Sequence, residues 1–186
     1  MVSMPAEPTN PHSTLARLVA VINARLDATV AGIDPTDVIR TELNRFAGVE
    51  EQLPDEAIAA IDAASRELEA VFDLADPDSV SVALNRILAA TSSAPRLSNH
   101  GGQRWHLHVD REPFGWASWF LSASALSLAT ALSEQGRVLW GRCAAPDCQR
   151  VFSGSGSGAP QTFCSSRCGS RVRMARQRAS INRISN

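Results

Sequence analysis

Apolar residues recur at helical spacing through the first half of the chain. Leu15, Leu18, Val19, Ile22, Leu26 and Val30 predict a helix over 15–30. Asp34-Pro35 opens a second segment with Val38, Ile39, Leu43 and Phe46 on one face. Pro54 stands at the first helical position of a third, whose apolar stripe is Ile58, Ile61, Leu68, Val71 and Phe72. Asp76-Pro77 caps a fourth, carrying Val80, Val82, Leu84, Ile87 and Leu88.

The period then changes. Ser92 to Pro95 breaks the helical pattern. Arg96–Asn99 and Arg104–Val109, joined by Gly101-Gly102, read as a β-hairpin. In its second strand Trp105, Leu107 and Val109 alternate with Arg104, His106 and His108, which predicts the first set inward. A long apolar helix follows from Pro113 to near Gly136. It is apolar nearly all round, the signature of a central core helix. Its stretch Trp116–Leu132 is short for a membrane span and carries Ser118, Ser122, Ser124, Ser127 and Thr130, so a buried helix is expected instead. Val138–Trp140 reads as a short strand, and Ser153–Gly158 (SGSGSG) as a flexible loop.

Composition fits this layout. At 186 residues, with 44% hydrophobic and 20% charged residues, the chain can hold one main globular core and a small second unit. Met1–Ser13 has neither a basic start nor an apolar run, so no secretion signal is read and a cytoplasmic location is expected. A reducing compartment favours metal binding or redox chemistry over disulfides for clustered cysteines.

Charge divides the chain. Before Arg142 there are 10 arginines against 18 carboxylates, a net of −8; from Arg142 onward there are 8 arginines against Asp147 alone, a net of +7. Such asymmetry points to a polyanionic partner for the basic part.

All four cysteines lie in that basic part: Cys143, Cys148, Cys164 and Cys168, as C-x4-C and C-x3-C on either side of a loop. Two close pairs can present four thiolates tetrahedrally to zinc. Buried free cysteines, a dithiol redox pair and an iron–sulfur cluster are the alternatives, and redox chemistry is disfavoured by the lack of C-x-x-C. Pro146-Asp147 favours the tight turn of a zinc knuckle. Phe152 and Phe163 can cover the site, and Ser165 or Ser166 can cap a helix that the second pair opens. On that helix Cys164, Cys168, Val172, Ala175 and Ala179 share a stripe expected to face the metal and the hairpin. Arg167, Arg171 and Arg178 follow one flank; Arg173, Arg176 and Arg183 follow the other. An ordinary solvated face mixes charge signs; this one does not, which favours nucleic-acid contact.

The run RCAAPDCQRVF followed by FCSSRCGSRVRMARQRA resembles the CGNR-type zinc finger, whose Cys-Gly-Asn-Arg motif is here Cys168-Gly169-Ser170-Arg171. The segment ALNRILAA…PRLSNHGGQRWHLHVD with its following helix is similar to the later half of the ABATE domain that precedes such fingers in proteins grouped as stress-induced transcription regulators. The resemblance implies zinc on the four cysteines and a DNA-binding finger. Ser170 in place of Asn and the SGSGSG loop are departures from the family pattern.

Other features carry less. His106 and His108 share a strand face without a third ligand, so they read as polar-face or packed histidines. Trp105, Trp116, Trp119 and Trp140 read as core, with a sensor pocket as the rarer use. No nucleophile motif, phosphate-binding glycine loop or paired-carboxylate signature is present, so no enzymatic activity is expected.

The chain therefore reads as α+β, mainly α: a tail at 1–12, a helical domain with a small hairpin at 13–136, and a treble-clef-like zinc finger with a basic helix at 137–186. The expected function is a zinc-dependent DNA-binding transcriptional regulator. Arg167, Arg171, Arg173, Arg176 and Arg178 would engage the nucleic acid, and no membrane association is expected. A zinc-stabilised protein-interaction module, or a small-molecule sensor with a structural finger, are the competing readings.

Overall fold

The computed structural model describes residues 11–47, 53–99, 105–111, 115–154 and 160–184, with the side chains of 11–13, 47, 98, 106 and 181–184 outside that description. Its elements run α1 (Pro11–Ala31), α2 (Thr36–Ala47), α3 (Asp55–Glu69), α4 (Pro77–Thr91), β1 (Ser92–Ser98), β2 (His106–Asp110), α5 (Trp116–Gln135), β3 (Trp140–Arg142), β4 (Val151–Ser153) and α6 (Ser166–Ile184). The mainly helical chain with a small antiparallel hairpin is what the hydrophobic pattern predicts; a second small hairpin, β3–β4, stands where the pattern predicts a single short strand at Val138–Trp140. No helix among the described residues is long and apolar enough to cross a membrane.

The sequence signals act at the expected ends. The Asp34 carboxylate accepts from the Thr36 amide at 2.7 Å, an Asx turn that starts α2. Asp76 caps α4 by accepting from the Ser79 amide at 2.8 Å, with Pro77 next in line. Pro54 is the residue before α3 rather than its first turn. The third helix is also shorter than its stripe suggests: α3 ends at Glu69, and Val71 and Phe72 are buried from a separate 3-10 turn over Ala70–Asp73. Tightening that turn redirects the chain while keeping both side chains in the core. Gly136, left-handed at φ 63°, ends α5. Pro113, the expected start of that helix, lies outside the described residues.

Helix α5 is the centre of the fold and packs on α1, α3 and α4. Phe120, Ala125 and Leu128 are wholly buried there, and so are the hydroxyls of Ser122 and Ser124. Arg17 of α1, only 1% exposed, lies with its guanidinium 4.5 Å from the centre of the Trp119 ring. The tryptophans do not act alike: Trp119 and Trp140 are buried, Trp116 stands edge-on to Trp119, and Trp105 is 67% exposed. Two apolar positions assigned to buried stripes, Val30 and Val82, are exposed.

The first hairpin corrects the expected strand faces. Its register pairs Leu97 with Leu107 and Arg96 with His108, with an irregularity between Ser92 and Arg96 around Pro95. Trp105 and Leu107 are exposed, whereas His108, Val109 and Asp110 are all buried. Burial here follows distance from the strand base and not the face of the pleat. β2 packs on α5 at its buried base, and Leu97, Trp105 and Leu107 are exposed. The enclosed polar groups satisfy one another. His108 Nδ1 lies 3.0 Å from Asp110 Oδ1, and both Ser93 and Arg96 donate to the Asp110 carbonyl. The Gly101-Gly102 turn and the His106 side chain lie outside the described residues.

Candidate metal centre and cationic helix

The second hairpin builds the first half of the site. β3 and β4 pair Trp140 with Ser153 and Arg142 with Val151. The loop between them is closed at its base by the Cys143 amide donating to the Arg150 carbonyl at 2.9 Å. Asp147 takes φ 61°, the only positive φ at a non-glycine residue among those described, and this folds Cys148 back toward Cys143. A short polar side chain is the least costly residue for that conformation after glycine. The Cys148 amide completes the knuckle by donating to the Ala145 carbonyl.

The second half comes from the start of α6. Of the two capping candidates the structure uses Ser165: its hydroxyl accepts from the Cys168 amide at 3.3 Å. Gly169 is buried, and a Cβ there would sit 3.3 Å from the Phe163 ring and 3.3 Å from the Arg173 guanidinium, so the ring and the helix meet across a bare backbone. Phe163 thereby packs on the first turn of α6 beside Cys168. Phe152 is buried against Gly141.

These elements bring all four sulfurs within 4.8 Å of one another. Cys148–Cys164 and Cys164–Cys168 are 3.7 Å apart and Cys148–Cys168 3.8 Å. A tetrahedral zinc with Zn–S bonds of about 2.3 Å requires sulfur spacings of about 3.8 Å. The donor set and its dimensions fit a four-coordinate metal site with no open position. Burial and the neighbouring groups set the acidities of three of these thiols apart. Burial and neighbouring thiols push Cys164 up to about 12, and burial raises Cys148. Cys168 is drawn down to about 7, chiefly by the Ser165 hydroxyl. Cys168 therefore gives up its proton more readily than Cys148 or Cys164, and a bound cation would supply the charge that compensates their thiolates.

Residues 140–180 match the model of the CGNR zinc finger family.

No curated protein matches the chain. The segment that matches this family model is held to the helical body by contacts that no local motif announces. The Asn23 side chain brackets the β4 edge, donating to the Val151 carbonyl at 3.1 Å and accepting from its amide at 2.8 Å. Arg150 makes a two-armed ion pair with Asp27 of α1, with Nε–Oδ1 at 2.9 Å. Arg142 reaches Glu69 at 2.7 Å and also pairs with Asp73. Glu69 is held in turn by Arg25, whose Nε also meets Ser65 at 3.1 Å. Burial pushes the Glu69 carboxyl up, but its bonds and charge contacts with Arg142 and Arg25 outweigh this and leave it below its ordinary value. Trp140 and Val151, from the finger strands, are buried in the same cluster as Leu18, Ile22 and Phe72.

Helix α6 is different. Arg167, Arg171, Arg173, Arg176 and Arg178 are all exposed. Arg171 donates to the Pro146 carbonyl at 3.0 Å and Arg173 to the Ser170 hydroxyl at 2.9 Å. Among the described residues no α6 guanidinium pairs with a carboxylate, and the Arg183 side chain lies outside the description. The expected seam is covered only at its start. Cys168 and Val172 are half-buried, but Ala175 and Ala179 are exposed rather than turned against metal and hairpin. Among the described residues no other element packs closely on the second half of α6, which stands off from the knuckle across a cleft.

Proposed function

We propose that the four cysteines hold one structural zinc ion and that the finger so formed binds DNA, giving the chain the role of a transcriptional regulator. Zinc is supported by the all-thiolate donor set, the sulfur spacings and the family match together. The metal's work is to fix the start of α6 against the knuckle. A helix this polar and unsupported gains little from its own propensity.

The observation that carries the nucleic-acid reading is the segregation of arginines. Arg142 and Arg150 are neutralised by carboxylates of the helical domain. The five described α6 arginines remain uncompensated and exposed on one projecting element, an arrangement suited to phosphates.

The test is a fluorescence-anisotropy titration of random duplex DNA with metal-loaded protein across a salt series. With about five phosphate contacts, log K should fall against log salt with a slope of about −4.5. Absence of binding at low salt, with one metal per chain verified, overturns the reading.

A further inference from the structure

Between α6 and the knuckle lies a cleft of about 500 Å³. Its walls are apolar: Ala144 and Pro146 on the knuckle side, Val172, Ala175 and Ala179 on the helix. Its rim carries Arg171 and Arg176, with Asp147 as the single carboxylate. A purely electrostatic landing surface has no need of an apolar slot. A phosphodiester strand matches this one, because it alternates an apolar sugar with an anionic phosphate at its edge.

Helical geometry supplies the second observation. At 100° per residue, Arg167, Arg171 and Arg178 line one flank of α6 and Arg173 and Arg176 the other, with Ala175 and Ala179 between. The helix is narrowest where the small residues lie and cationic on both sides. A helix about 10–12 Å across enters the B-DNA major groove, about 12 Å wide, with a sugar–phosphate ridge passing on either side. The deep, narrow major groove of A-form RNA does not admit one.

Building on the nucleic-acid reading above, we propose that α6 enters the major groove of B-form DNA with one phosphodiester strand seated in the cleft between knuckle and helix. Arg171 and Arg176 meet the phosphates of that strand. Arg173, farther round the helix from the cleft than Arg176, faces the opposite ridge. Asp147 opposes binding and is kept for the left-handed turn of the knuckle, a conformation that asparagine also tolerates.

Three measurements on the full metal-loaded chain decide it. Duplex DNA and duplex RNA of the same sequence are compared at equal salt, and DNA should bind tighter by about tenfold or more. Ala175→Leu fills the cleft without changing charge. It should weaken DNA binding about tenfold and lower the salt slope while leaving zinc content and helicity unchanged. Asp147→Asn should tighten binding about threefold. Equal affinity for the two duplexes, or full affinity in Ala175→Leu, overturns the groove-and-cleft placement while leaving nucleic-acid binding intact. Failure to bind either duplex at low salt removes the nucleic-acid reading itself, and this inference with it.

Discussion

Two sets of arginines sit in one cationic segment and are used in opposite ways. Arg142 and Arg150 belong to the knuckle hairpin, reach back to Glu69, Asp73 and Asp27, and join the finger to the helical body. The arginines of α6 reach outward and find no carboxylate among the described residues. Net charge treats both sets alike. What separates them is the element that carries them: strands packed into the core put their cations beside the body's acids, whereas a projecting helix leaves its cations in solvent. A charge count identifies a basic segment; only the fold says which part of it is available to a partner.

The contrast is sharpest at the proposed zinc ion. Removing it with a chelator, or by Cys164→Ser, should abolish metal binding and unfold α6. The far-UV helical signal should fall by about α6's share of the described α-helical residues, 19 of 102. The helical body, with Trp140 and Val151 still packed, should retain a cooperative melt. Loss of that melt together with α6 would show that the two regions do not differ in their dependence on the ion.

The hairpin should respond in the reverse sense. Trp140→Ala opens a cavity in the shared core and should cost about 3–5 kcal/mol of global stability in denaturant unfolding. A change below about 1 kcal/mol would mean that β3 is an ornament on the body and not part of its core.

The arginines provide the finest comparison. Arg142→Ala takes from Asp73 its ion pair and leaves Glu69 to Arg25, and should destabilise the fold by about 1–3 kcal/mol. Arg171→Ala should change stability by less than about 0.5 kcal/mol and reduce the DNA salt slope by about 1. Both carboxyls are held below their ordinary values, Asp73 chiefly by its hydrogen bond from Arg142. The stability from this network is therefore fully present above the unfolded carboxylate range and is lost as pH falls through the lower folded values. A stability–pH profile should show that acid loss in the wild type and less of it in Arg142→Ala.

Much of this is legible in the chain because it is local. Asp34-Pro35 and Asp76-Pro77 start helices through side chains two or three residues away from the amides they meet. The cysteine spacing determines which sulfurs can converge. Asp147 takes its turn conformation for reasons contained within the residue itself. What is not legible depends on partners far away in sequence. Nothing near Asn23 marks it as the bracket for Val151, 128 residues distant. The outward placement of Trp105 and Leu107 depends on which part of β2 packs on α5, a placement that alternation does not encode. The exposure of Ala175 and Ala179 follows from how α6 stands off from the knuckle, and periodicity gives a face but not a distance.

The Asn23 bracket bears on how portable the finger is. One amide side chain offers β4 the donor and acceptor that a third strand would have offered, and so occupies an edge otherwise open to any passing strand. A finger transplanted to another scaffold would take its four cysteines along but leave this closure behind. Grafting residues 140–184 alone should therefore yield a domain that takes up metal yet self-associates through its bared edge, and restoring solubility would require an asparagine on the host helix as much as any change to the finger.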